Sequence, residues 1–163
     1  MRLLIIRHAI AVERGTAGMP DEERPLTEEG EQKFREAAKG LARIAERPDT
    51  ILTSPWRRAR ETAEIAARAW GKIDPRPTKA LCGGTLDELQ SEIDRFPKDA
   101  TIVVVGHEPW LSELLAGLLG THRSERLAFR KGGVALVEVP GRLSAGGTLV
   151  WSLPPKVLRE LAS

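Results

Sequence analysis

The chain begins with an apolar run, Leu3-Leu4-Ile5-Ile6, whose branched side chains follow one another without a polar break. That is the pattern of a strand buried on both faces. The polar, charged stretch from Ala11 to Pro25 reads as a long loop. Thr27 then fits a helix N-cap, with Glu28 and Glu29 where the helix dipole favours negative charge, and Phe34, Ala37, Ala38, Leu41, Ile44 and Ala45 recurring at helical spacing. Thr50 to Thr53 predicts a second, short strand. Ser54-Pro55 reads as the N-cap and first-turn proline of a helix running to about Trp70, with Ala59, Ala63, Ile65, Ala66 and Ala69 on its inner face.

After a connector at Pro75 to Pro77 come a weak segment around Leu81 and a short amphipathic helix from about Thr85 to Phe96. Thr101 to Val105 is a β-branched run suited to the middle of a sheet, and it ends in Gly106-His107-Glu108-Pro109. Leu111, Leu114, Leu115, Leu118 and Leu119 mark a further helix with Pro109 in its first turn. Val134 to Val139 and Thr148 to Ser152 complete the pattern as two strands separated by Pro140-Gly141 and Gly146-Gly147, and they are expected to pair antiparallel. Alternating strands and helices that end in a hairpin predict an α/β fold, a three-layer α/β/α sandwich on a mixed, mostly parallel sheet.

Length and composition narrow the function classes. A chain of 163 residues is expected to form a single domain, 1–163, with a core large enough to need no staples. With 29% charged and 41% hydrophobic residues it has the make-up of a soluble globular protein. A net charge of +2, no Tyr and 4% aromatic residues do not make the concentrated basic, stacking face of a nucleic-acid binder. Cys82 is the lone cysteine, which fits a reducing compartment, and no stretch approaches a membrane span. The expected location is cytoplasmic, with no nucleic-acid or membrane partner.

Three strands end in chemistry-bearing residues: Arg7-His8 after the first, Ser54-Pro55-Trp56-Arg57-Arg58 after the second, and Gly106-His107-Glu108 after Thr101 to Val105. If these strands are parallel, their ends meet at the sheet edge where open α/β proteins place ligands. Arginine holds phosphate oxygens through paired hydrogen bonds, and an imidazole in line with phosphorus can accept it covalently. Arg57, Arg58 and Arg60 near a helix start gain nothing from the dipole there, and that unfavourable placement points to a use. His122 is expected to lie on the surface and Cys82 to be a loop thiol. A zinc site from His8, His107, Cys82 and Glu108 lacks the close ligand spacings of zinc motifs, and neighbouring arginines would repel the ion. No metal or cofactor is expected.

Taken in order, Arg7-His8-Ala9, Arg24-Pro25-Leu26-Thr27, Ser54-Pro55 with Arg58-Ala59 and Thr62, Gly106-His107 with Pro109, and Trp151 with Pro154 resemble the histidine phosphatase superfamily. The likeness is to its phosphoglycerate-mutase-like fold and, within it, to the short SixA-like phosphohistidine phosphatases, and it spans nearly the whole chain. The resemblance implies that His8 is the phosphoryl-accepting nucleophile and that Arg7, Arg58 and His107 complete the phosphate pocket. It places Arg24 at the rim, with Ala9 and Glu108 as further substrate contacts. The expected activity is removal of phosphate from histidine on a protein, a phosphotransfer or carrier domain, through a covalent phosphohistidine, with inorganic phosphate as product.

Two departures from the family pattern matter. Glycine usually follows the arginine-histidine pair, so Ala9 is expected to strain the backbone by roughly 1 kcal/mol if a glycine-only shape is kept. A proton-donating acid is not fixed by the pattern; Asp21, Asp87 and Glu88 are the candidates, while Glu22 and Glu23 fit a solvated role. Phosphohistidine has a nitrogen leaving group that can already carry its proton, so it needs less acid help than an ester. The roughly twenty residues between Leu81 and Thr101 are too few for an extra lid, which predicts an open site. Arg57, Arg60, Arg123, Arg126, Arg130 and Lys131 offer basic ground for an acidic partner. The alternatives are a broad small-molecule phosphomonoesterase using one of those acids, and an inactive phosphate-binding module.

Overall fold

The opening apolar run lies at the centre of the protein. In the computed structural model, which describes residues 1–163, β1 (Arg2–Arg7) runs parallel to β4 (Thr101–Gly106) on one side and antiparallel to β5 (Val134–Glu138) on the other. β2 (Thr50–Thr53) lies parallel to β4, and β3 (Arg76–Pro77) parallel to β2. β6 (Thr148–Leu153) pairs antiparallel with β5. The sheet therefore has six strands in the order β3-β2-β4-β1-β5-β6. Because β2, β4 and β1 are parallel neighbours, Ser54, His107 and His8 follow their carboxyl ends onto one edge.

Alternation along each strand sends successive side chains to opposite faces, so one continuous apolar run supplies two cores. Leu4, Ile6, Ile51, Val103 and Val105 pack against α1 (Glu28–Ile44), α2 (Arg57–Ala69) and α5 (Pro155–Leu161). Leu3, Ile5, Leu52, Ile102 and Val104 pack against α3 (Leu86–Ile93) and α4 (Trp110–Leu119). The result is the three-layer α/β/α sandwich with a mixed, mostly parallel sheet. No helix is long and apolar enough to cross a membrane.

Helix starts follow local hydrogen bonding, and two differ from the expectation. Thr27 caps α1 by accepting from Gly30 N–H at 2.9 Å. α2 starts at Arg57 rather than at Ser54-Pro55, with Trp56 as its uncapped first boundary, while Ser54 Oγ accepts from Trp56 N–H just ahead of the helix. Pro109 stands just outside α4 as its N-cap. α3 stops at Ile93, short of Phe96, and starts with a capping box in which Glu88 accepts from Thr85 N–H at 2.7 Å. Ile44 is 40% exposed instead of inward, because the helix ends there. Two elements were not revealed by the pattern: β3, whose two residues lie in the expected connector at Pro75 to Pro77, and α5, whose seven residues make too few turns to display a period.

α5 reaches α1 at a glycine. A Cβ on Gly40 would fall on the Leu158 carbonyl oxygen, so only hydrogen lets the two backbones approach so closely. Gly40→Ala should cost about 1–3 kcal/mol of stability in chemical denaturation by overpacking. The control, Gly117→Ala, has open space and should stabilise α4 by roughly 0.5–1 kcal/mol; equal effects at both positions would refute the close-approach account.

Candidate active site

His8 sits where β1 leaves the sheet and is 6% exposed. Its main-chain N–H still bonds Gly106 O at 3.0 Å, so the strand register fixes the residue. The Nδ1 atom lies 2.7 Å from Ala9 O and donates to it, which assigns the tautomer and leaves the Nε2 lone pair facing outward. Arg58 Nε points at that lone pair from 3.3 Å. Behind the pair, Gly132 N–H is shared by the Arg7 and His8 carbonyls, 3.1 Å to each, in a left-handed turn with φ +83° that favours glycine.

Ala9 N–H donates to Thr62 Oγ1 at 3.0 Å, and that hydroxyl donates to Arg58 O at 2.7 Å. Thr62 thus ties the end of β1 to the first turn of α2 and sets His8 against Arg58. The strain expected at Ala9 is absent. Lys72 is the only residue other than glycine with positive φ, so Ala9 has a backbone that any residue adopts.

The arginines converge on a single carboxylate. Arg58, 2% exposed, donates from Nη1 to Asp21 O at 2.7 Å and approaches Asp21 Oδ2 at 3.5 Å through Nη2. Arg24 donates from Nε to Asp21 Oδ1 at 2.7 Å and from Nη1 to Val12 O at 2.6 Å. Arg14 adds a third contact at 3.3 Å. Burial pushes the Asp21 carboxyl up, but Arg24, Arg58 and Arg14 together outweigh it and hold the group below the usual carboxylate range. Ionised Asp21 positions arginines and is poorly suited to donate a proton. Arg7 is anchored through Nη1 on Phe129 O at 2.6 Å, while its buried Nε has no partner. Burial lowers the pKa of both Arg7 and Arg58 from their ordinary value.

His107 completes the edge. Trp56 N–H donates to Ser54 Oγ at 3.2 Å, and Ser54 Oγ lies 2.7 Å from His107 Nε2. Ser54 is fully buried, so donation of its hydroxyl to Nε2 satisfies both groups and places the His107 proton on Nδ1, a buried atom with no partner in the chain. The two imidazoles lie 5.2 Å apart between ring centroids; the Trp56 ring is 5.0 Å from His107, with Arg58 Cζ 4.8 Å from the Trp56 ring centroid. Burial, with the charges of His107, Arg58 and Arg7, pushes His8 down to about 3 against the raising effect of its bond to Ala9. Burial likewise takes His107 to about 4, aided by Arg58, Arg24 and Arg7 and opposed by Asp21. Both rings are neutral near pH 7.

A cavity of about 300 Å³ gathers Arg7, His8, Arg24, Arg58, His107 and Glu108, together with Ala11, Glu13, Arg14 and Lys131. Glu108 also accepts from Ser112 N–H at 3.1 Å, which holds it at the start of α4. Ala9 lines the neighbouring cavity instead. Asp87 and Glu88 do not line the site: both are exposed on α3, and Glu88 is committed to its capping box. No residue between Arg58 and His107 covers the cavity. Arg57 pairs with Glu61 and Arg60 bonds Pro55 O, so only Arg58 of that trio turns inward. His122 is exposed and Cys82 half-buried. No group of three or more His, Cys, Asp or Glu side chains is placed to hold a metal ion. Ser54, Thr62 and Trp56 orient the histidines and Arg58; the sequence suggested Ser54 only as a helix cap, and the signal for Ser54 and Thr62 was their place in the ordered landmarks, which do not include Trp56. The assembly offers a neutral imidazole lone pair among several cationic or N–H donors, an arrangement suited to a tetrahedral oxyanion.

Known proteins resemble this chain in sequence and in fold. The model of the histidine phosphatase superfamily (branch 1) matches residues 3–91. An uncharacterised protein of Picosynechococcus is 34% identical over 137 residues, covering 82% of each chain. Among solved structures, the protein histidine phosphatase SixA complexed with tungstate superposes with a TM-score of 0.81 at 26% identity, covering 97% of this chain and 99% of that one. An Agrobacterium tumefaciens protein, provisionally assigned as phosphohistidine phosphatase SixA, gives 0.79 at 25% identity over 94% of this chain and 97% of that one.

The depressed imidazole pKa values bear on stability. In the unfolded chain both histidines titrate near 6.5, whereas the folded protein holds them near 3 and 4. As pH falls below 6.5 the unfolded chain takes up protons that the folded one refuses, so stability present above 6.5 is lost at about 1.4 kcal/mol per pH unit for each ring until its folded pKa is reached. The denaturation midpoint should therefore drop between pH 7 and pH 5, and less so in a His8→Asn, His107→Asn double variant; parallel curves would contradict the assignment.

Proposed function

The chain belongs to the histidine phosphatase superfamily, and from that premise we propose that it is a metal-independent phosphohistidine phosphatase acting on a protein. In this reading residues 1–163 work as one catalytic domain in the cytoplasm, on a phosphotransfer or carrier domain. The observation that carries it is the His8 imidazole, neutral and turned by its Nδ1–H bond to Ala9 O so that the Nε2 lone pair faces the arginines. The likeness to a SixA structure that binds tungstate, a tetrahedral oxyanion, supports it.

His8 Nε2 attacks phosphorus in line with the bond to the substrate imidazole. The new P–N bond forms as the old one breaks, and the leaving imidazole takes the bonding pair and departs as a neutral ring carrying the proton it brought. Arg7, Arg58 and the His107 Nδ1–H meet the equatorial oxygens as charge shifts onto them. Arg24, shared with Asp21, and Glu108 border the incoming group. Water then attacks the phosphohistidine from the side the substrate left, the P–Nε2 bond breaks, and inorganic phosphate leaves. The ionised state of Asp21 favours a substrate whose leaving group needs no strong acid, which is the case for phosphohistidine and not for an alkyl ester.

Phosphate release from a histidine-phosphorylated carrier domain, measured beside p-nitrophenyl phosphate with chelator present, tests this. The protein substrate should be preferred, chelator should have no effect, His8→Ala should abolish turnover, and Arg58→Ala should lower kcat about 100-fold or more. Preference for the ester would favour a small-molecule phosphomonoesterase, and turnover of neither would favour a phosphate-binding module.

A further inference from the structure

Beside the cavity that holds His8 lies a second, of about 410 Å³, and the two share Arg7 and Lys131. Ile10, Phe34 and Pro155 give the second cavity an apolar floor, and Lys33, Arg130 and Arg159 add cations to the shared pair. No acidic residue lines it. Lys33 is paired with Glu29 at 2.5 Å, but Arg130, Lys131 and Arg159 make no ion pair in the chain. Arg57 and Arg123 are matched by Glu61 and Glu125, whereas Arg60 and Arg126 also make no ion pair; what distinguishes this cavity is that its unpaired cations line one concave surface with no acid among them. The buried, unpartnered Nε of Arg7 belongs to the residue both cavities share.

The chemistry of the lining selects the kind of anion. Gly132 N–H is occupied by the Arg7 and His8 carbonyls, and Gly30 N–H by Thr27 Oγ1. The two lining glycines, the residues best shaped for a phosphate nest, therefore contribute no free N–H to one. What remains is a set of long cationic side chains around an apolar floor. That combination suits a carboxylate on a methylene stem, with the stem on Phe34 and Ile10 and the head among the cations.

We propose that this second cavity seats an acidic side chain, aspartate or glutamate, close in sequence to the phosphorylated histidine of the substrate protein. The inference rests on the phosphohistidine reading and extends it to the residues flanking the target. With Arg7 and Lys131 between them, the phosphoryl group and the carboxylate are held by one continuous band of positive charge, which both steers the partner and fixes its register.

Two synthetic phosphohistidine peptides test it, one with glutamates beside the histidine and one with glutamines, with phosphoramidate as a substrate that has no flanking residues. Wild type should process the glutamate peptide with a kcat/KM roughly tenfold above that for the glutamine peptide. The Arg130→Gln, Arg159→Gln double variant should lose that advantage while hydrolysing phosphoramidate at the wild-type rate. Equal rates on the two peptides in wild type, or an advantage kept by the double variant, would overturn the proposal. Fluorescence anisotropy with the labelled, unphosphorylated glutamate peptide reads the cavity without turnover. Binding that weakens in the double variant supports the seat even if no phosphohistidine is hydrolysed, and binding equal in both proteins overturns it.

Discussion

The site is organised by a shortage of negative charge. Arg7, Arg24 and Arg58 are wholly or partly buried at one sheet edge, and Asp21 is the carboxylate that pairs with two of them. Packing guanidinium groups out of water costs free energy that Asp21, with Glu108 acting on Arg7, offsets only in part. Burial is the main reason both imidazoles stay neutral, and the same crowding adds to it: a proton on either ring would add a cation to a buried cluster already rich in them. A neutral His8 keeps its lone pair, and surplus positive charge around that lone pair favours an incoming dianion. In the proposed mechanism, nucleophile and binding site are thus two consequences of one buried, cation-rich arrangement.

The fold makes that arrangement affordable to hold in place. Parallel pairing of β2, β4 and β1 brings Ser54, His107 and His8 together without any long connection crossing the site. Short hydrogen bonds then set orientation: Thr62 joins Ala9 to Arg58, Ser54 joins Trp56 to His107, and Ala9 O fixes the His8 tautomer. Each of these partners is buried or nearly so, which removes competition from water and makes a misplaced rotamer costly.

Much of this was legible in the sequence because its causes are local. The runs Leu3–Ile6 and Thr101–Val105, the helical spacing from Phe34 to Leu41, and the Arg7-His8 and Gly106-His107 endings each carry their own signal within a few residues. What was hidden depends on partners far along the chain. Ser54 resembles a helix cap until His107, 53 residues away, takes its hydroxyl. Asp21 resembles an acid catalyst until three arginines surround it. Ala9 resembles a strained glycine position until its φ is known, and Glu88 resembles a free carboxylic acid until its capping box is seen. α5 escaped because seven residues give no period, although Gly40 was waiting for it on α1.

The central claim is that His8 Nε2 itself takes the phosphoryl group. Rapid mixing with a histidine-phosphorylated carrier, an alkaline quench that preserves phosphohistidine, and intact mass followed by peptide mapping test it most directly. The account predicts a transient mass increase of one phosphoryl group on the peptide containing His8, absent from His8→Ala. Phosphate release at the full rate with no phosphorylated enzyme at any time, or with the label on His107, would contradict it.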